Sequence, residues 1–179
     1  MRHWLIGALI ALYATTSPAD DFAHQARHRP VRVFDANGHV IGDLTIFAAQ
    51  NGVALTAGDA TAVIPIARVQ DATFHFSATD FNWLATKVVD FASSDCSGDP
   101  ILDSLNGPRA ALAVRRGNDV TVYFAAEGVT QSFQANSALD PNAANGCRPF
   151  TASITLSGFK VGATLAISRT HPEPLRIGY

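Results

Sequence analysis

Ala110-Ala111-Leu112-Ala113-Val114-Arg115-Arg116-Gly117-Asn118-Asp119-Val120-Thr121-Val122-Tyr123-Phe124-Ala125 is the stretch whose reading decides the fold class. Residues 110–115 and 120–125 are runs rich in apolar, β-branched and aromatic side chains. Between them Gly117-Asn118-Asp119 reads as a turn, because glycine and asparagine accept the backbone angles of a tight reversal at low cost. The segment therefore predicts an antiparallel hairpin.

The same rhythm extends outward. Upstream, Val31 to Asp35 reads as a strand with Val31 and Val33 on one face, and Asp35-Ala36-Asn37-Gly38 as a turn. Val40 to Phe47 returns, with Gly42 marking a bulge. Asn51-Gly52 is the next expected turn, then Val53 to Thr56, the turn Ala57-Gly58-Asp59, and Thr61 to Val69. Pro65 lies inside that last run and predicts an edge strand or a bulge. Thr73 to Ser77 is a further strand, with Phe74 and Phe76 on one face. Phe81, Leu84, Val88 and Phe91 recur at helical spacing, yet the β-branched Val88 and Val89 favour a strand from Leu84 to Ala92.

Downstream, Glu127-Gly128 turns into a strand from Val129 to Phe133, and residues 134–149 read as a long polar loop. Thr151 to Leu156 and Leu165 to Arg169 are strands, and Pro172 and Pro174 leave an extended tail. Of the 15 acidic residues 13 are Asp, which favours turns and caps over helix interiors. The expected fold is all-β: one antiparallel domain over residues 31–179, a sandwich or barrel-like meander of nine to eleven short strands.

The N-terminus reads as a secretory signal over residues 1–19. Arg2 and His3 supply a basic start, Trp4 to Ala14 an apolar run, and Ser17 and Ala19 the −3 and −1 positions of a cut before Asp20. That run is about 11 residues, where a membrane-spanning helix needs roughly 20, so stable membrane insertion is not expected. The expected location is secreted or periplasmic. Residues 20–30 form an N-terminal arm.

Loss of Arg2 leaves 12 Lys and Arg against 15 Asp and Glu, a net charge of −3. Such a balance, with Lys87 and Lys160 the only lysines, carries no nucleic-acid footprint. His24 and His28, with Arg27, Arg29 and Arg32, read as a solvated arm.

Cys96 and Cys147 are the two cysteines, and export predicts that they form a disulfide. Closing a loop of about 50 residues contributes roughly 4 kcal/mol on the loop-entropy model. No cofactor and no metal are expected. Asp35-x-Asn37-Gly38 lacks the ligand spacing of a calcium loop, the histidines form no zinc-binding pair, and the two cysteines lack a C-x-x-C. No G-x-S-x-G, P-loop or dinucleotide motif is present. A triad is a matter of geometry, so the sequence leaves one of His75 with Asp80 and Ser97 open, and nothing in it favours that arrangement. Tyr179 ends the chain in an aromatic, but the prolines and short runs argue against a membrane barrel.

Val33-Phe34-Asp35-Ala36-Asn37-Gly38-His39-Val40-Ile41-Gly42, followed by Phe91-x-x-Ser94-Asp95-Cys96-Ser97-Gly98, resembles a loosely defined group of exported proteobacterial β-proteins of unknown function. Those carry a D-x-N-G-x-x-x-G hairpin, an S-x-D-C-x-G turn and a second cysteine at the place of Cys147. The resemblance spans residues 31–150 and implies export, β-structure and the disulfide. It implies no catalytic residue. The expected function is a non-enzymatic binding or surface-interaction module for a protein or glycan, with loops 93–108 and 134–149 as its first candidates. A hydrolase with a dispersed site and a structural surface or appendage protein are the alternatives.

Overall fold

A computed structural model describes residues 30–103 and 107–179, which form twelve strands and one short helix. The segment 1–19 with its cut at Ser17, Ala19 and Asp20, and the arm with His24 and His28, lie outside the described residues.

Six strands close a barrel: β1 (Arg32–Phe34), β12 (Leu175–Gly178), β5 (Phe76–Trp83), β4 (Ala60–Gln70), β3 (Gln50–Ala57) and β2 (Val40–Phe47), which returns to β1. Every neighbouring pair is antiparallel. Strand alternation carries Val33, Val53, Leu55, Ile64, Ile66, Phe81, Trp83 and Leu175 into one buried cluster. The expected bulge lies beside Gly42. Val33 pairs with Gly42 and Phe34 with Val40, which leaves Ile41 as the extra residue.

The hairpin of β7 (Ala111–Arg116) and β8 (Asp119–Ala125) is the middle of the molecule. With β11 (Val161–Leu165) it forms a three-stranded sheet in the order β11-β8-β7. Ala113, Val120, Val122 and Phe124 join the barrel's core, whereas Leu112, Val114, Tyr123 and Ala125 pack with a second cluster on the other side. That second cluster includes Val89 and Phe91 of β6 (Val89–Phe91) and Leu139 of β9 (Gln131–Leu139). With β10 (Cys147–Gly158) these two strands make the outer sheet, ordered β10-β9-β6. A sheet covered on both faces needs nearly continuous apolar sequence, which is why residues 110–125 read so clearly. The four-residue helix α1 (Ile167–Thr170) adds buried Ile167 to the barrel core, and its Ser168 Oγ accepts the Val120 N–H at 2.9 Å.

The fold is all-β with a disulfide, and its form is a closed barrel with two three-stranded sheets. Several local readings are corrected. The reversal expected at Asn51-Gly52 occurs at Ala48-Ala49, between the paired residues Phe47 and Gln50. Thr73 to His75 belong to a turn, and β5 starts at Phe76. The expected strand from Leu84 to Ala92 is only β6, because residues 84–88 bond to two different strands. The Leu84 N–H donates to Pro65 O and the Thr86 N–H to Ala113 O.

β4 carries a register shift against β5 between Arg68 and Gln70, the bulge alternative, and Pro65 lies in an interior strand, contrary to the edge alternative. It is the last β4 residue paired along β3, and its carbonyl closes the other ladder on Leu84, just past Ile66–Trp83. Its missing N–H thus falls where that ladder ends. Of the expected loop 134–149, residues 134–139 continue β9 and Cys147 opens β10. Leu165 to Arg169 splits between β11 and α1, and the expected tail is barrel strand β12.

Candidate functional site

The rim of β4 and β5, the connection 84–87, the end of β7 and the turn 141–146 surround a cleft of about 670 Å³. Half-buried Ala67, Leu84, Ala85 and Leu139, with Pro141, give it apolar walls. Arg68, Lys87, Arg115 and Arg116 also line it, and no Asp or Glu does.

Local structure explains how these cations come together. Arg68 sits on β4 opposite Phe81, and its guanidinium stacks 4.8 Å over that ring while Nη1 donates to the carbonyls of Ser77 and Ala78. Arg115 and Arg116 end β7 at the Gly117 turn. The Arg116 Nη2 donates to Cys96 O, and its guanidinium lies 5.2 Å over the Phe91 ring. Arg115 is neutralised by Glu173, which it meets at 2.7 Å. Arg68, Lys87 and Arg116 make no ion pair with a described carboxylate. Arg68, Lys87 and Arg116 therefore border one concavity of a net-negative chain, although the guanidinium of Arg68 rests against Ala78 and Phe81 of a neighbouring cleft of about 460 Å³ and that of Arg116 against Cys96 and Phe91.

Cys96 and Cys147 are bonded, with Cα atoms 5.9 Å apart. The disulfide loop is further tied to β9: the Cys96 N–H donates to Ser137 Oγ at 3.0 Å, and that hydroxyl donates to Ser93 O at 2.7 Å. Among the described residues, the two loops named from sequence line different clefts. Leu139, Pro141, Asn145 and Gly146 line the cation cleft, whereas Ala92, Ser93 and residues 97–101 line a separate cleft of about 410 Å³ with Phe133 and Phe159. The link between them is indirect. Cys96 fixes Arg116, and Cys147 follows directly on Asn145-Gly146.

His75, Asp80 and Ser97 are not joined by any hydrogen bond. His75 Nδ1 is 2.9 Å from Thr73 Oγ1 and 3.5 Å from Asp71 Oδ2, Asp80 meets Ser77 and Arg176, and Ser97 donates to Asp95. The local Asp71–His75–Thr73 group is no relay either, because carboxylate and hydroxyl meet the same ring nitrogen. A base needs one nitrogen for each. The backbone N–H groups of Thr73 and His75 and the Thr73 hydroxyl donate to Asp71 Oδ1 in a turn, and these bonds, the His75 N–H first and the Thr73 hydroxyl next, hold its carboxyl below the usual range.

Asp35-Ala36-Asn37-Gly38-His39 builds the same turn, with the N–H groups of Asn37 and His39 both 2.9 Å from Asp35 Oδ1. A hairpin turn is thus what this sequence makes. The Asp35 side chain is fully buried, and its Oδ2 faces His39 Nδ1 at 3.5 Å and His171 Nδ1 at 3.7 Å. Burial pushes this carboxyl up, but the two N–H donors and both histidines outweigh it and hold it below the usual range. Among the described residues no three His, Cys, Asp or Glu side chains are arranged to hold a metal ion, and no helix is long and apolar enough to cross a membrane.

Sequence reasoning missed the cation cleft. Its signals were the adjacent Arg115-Arg116 and the placement of one of only two lysines, Lys87, in a segment with no regular period. Comparison with protein-family models, with curated proteins and with solved structures found no match.

Proposed function

We propose that the protein is exported and acts as a non-enzymatic binding module, whose site is the cleft of Arg68, Lys87 and Arg116 and whose ligand carries negative charge. The single observation behind this reading is the gathering of these cations, with no carboxylate, around a concave site of ligand size. Like charges repel, and an anion placed among them relieves that repulsion. Arg68 and Arg116 are each held by a carbonyl and an aromatic ring at the border of the cleft, which orders their side chains while occupying part of their donors. Export rests on the features of residues 1–19 and accords with a disulfide, which persists in an oxidising compartment. The resemblance to exported β-proteins points the same way.

Thermal unfolding of the exported product tests the reading, in the presence of dodecyl phosphate, inorganic phosphate or polygalacturonate. We expect at least one anion to raise the Tm saturably, since a ligand that binds only the folded state stabilises it. Lys87→Glu, at an exposed position, abolishes that shift and, by relieving repulsion among the cations, leaves the Tm without anion equal or higher. No shift with any of the three, or a shift insensitive to Lys87→Glu, overturns the proposal.

A further inference from the structure

We infer that the ligand of this cleft is an amphiphilic anion, a molecule with an apolar body and one phosphate, sulfate or carboxylate head. The inference rests on the anion-binding reading above and adds the chemistry of the rest of the molecule.

The distribution of side chains within the cleft carries it. Ala67, Leu84, Ala85 and Leu139 are only half-buried by their neighbours, and with Pro141 they leave apolar surface facing the cavity. A ligand covering that surface gains about 0.8 kcal/mol for each methylene it buries. Arg68, Lys87 and Arg116 are exposed, as befits a charged rim around an apolar interior. A fully polar anion such as a sugar acid satisfies these cations but leaves the walls uncovered, and it loses its own hydration against them. A neutral apolar molecule fills the walls but leaves the cations unpaired. Only a ligand with both parts matches both halves of the lining.

The cavity of about 670 Å³ sets a size class. It falls in the range of pockets that enclose small molecules, and it is open on one side, where a head group can meet the rim while retaining part of its water.

Trp83 borders this cleft but is only 2% exposed and packs in the barrel core, so binding to the exported product is measured directly by isothermal titration calorimetry. Titrations below the critical micelle concentration use butyl, octyl and dodecyl phosphate, with inorganic phosphate, dodecyl maltoside and polygalacturonate as comparisons. We expect saturable binding of the alkyl phosphates, tightening by up to about fourfold per added methylene until the chain outgrows the cleft. Lys87→Glu and Arg68→Ala should each weaken dodecyl phosphate at least tenfold. Lys87 makes no hydrogen bond within the described residues, which keeps that variant informative if Arg68→Ala fails to fold.

Inorganic phosphate binding as tightly as dodecyl phosphate overturns the amphiphile and leaves the anion site standing. Polygalacturonate binding where no alkyl phosphate does has the same effect and assigns an acidic glycan. Dodecyl maltoside binding equally, without sensitivity to Lys87→Glu, overturns both readings. So does the absence of any binding.

Discussion

Arg115 and Glu173 meet in a two-pronged ion pair, Nη1 to Oε2 at 2.9 Å and Nη2 to Oε1 at 2.7 Å, between the end of β7 and the segment that feeds β12. Glu173 Oε1 also accepts the Trp83 N–H, and Arg115 Nη2 donates to Trp83 O at 3.0 Å. The pair therefore ties the central sheet to two barrel strands. Exposed ion pairs are worth little, but these side chains are only 32% and 17% accessible and each has a backbone partner as well. We expect Glu173→Gln to destabilise by about 1.5–3 kcal/mol and Glu173→Ala by more. Urea denaturation measures both, and a loss below about 0.5 kcal/mol for Glu173→Ala would place the pair with ordinary surface contacts.

Gly52 gives a sharper test of local geometry. It lies inside β3, and a Cβ there would sit 2.7 Å from Ile64 O and from Val63 Cγ1 of β4. Backbone cannot move aside as a side-chain end can. Gly52→Ala should therefore cost about 1–3 kcal/mol, the usual range for overpacking. Asn51→Ala, next to it and exposed, should stay within about 0.5 kcal/mol. Comparable midpoints for the two variants would contradict the close approach.

These neighbours also show how far the sequence could be read. Asn51-Gly52 has the composition of a turn, and nothing local distinguishes a glycine needed for positive φ from one needed for space. The actual turn, Ala48-Ala49 at φ 50° and 62°, uses residues that rarely adopt such angles, so no composition signal marks it. The 110–125 hairpin was legible because both its faces are buried. Residues 84–88 were not, because their hydrogen bonds go to Pro65 and Ala113, far apart in sequence. The disulfide followed from chemistry, but the cation cleft depends on which strand ends converge. Arg68, Lys87 and Arg116 belong to three separate segments, and no spacing encodes their meeting.

Asp90 of β6 should make stability depend on pH in a specific direction. Burial first, and the charge of Asp103 second, push its carboxyl up, against a smaller opposing effect of Arg148. A carboxyl raised on folding binds its proton more tightly in the native state. Its stabilising share is thus complete below the ordinary carboxylate range and disappears as pH rises through the raised value. Above that window the ionised group opposes folding. Asp90→Asn should accordingly raise the Tm at neutral pH and have little effect at strongly acid pH. A lower Tm for Asp90→Asn at neutral pH would show that the carboxylate makes a stabilising contact instead.

The disulfide should serve the cleft as well as the fold. Cys96 and Cys147 are separated by 51 positions, and on the loop-entropy model their bond contributes about 4 kcal/mol. The double replacement Cys96→Ser, Cys147→Ser should lower the urea midpoint accordingly. Its second consequence is local. Arg116 is held by the Cys96 carbonyl, and the opposite wall at Asn145 and Gly146 is anchored by Cys147. Freeing both loosens the rim, so dodecyl phosphate should bind the double variant more weakly even at temperatures where it is fully folded. Ser137→Ala offers the control. It removes the hydroxyl that accepts the Cys96 N–H, loosening the same loop with the disulfide intact. If loop order controls Arg116, Ser137→Ala should lower the affinity by less than the double variant does. Unchanged affinity in the folded double variant would show that Arg116 keeps its place through Phe91 alone.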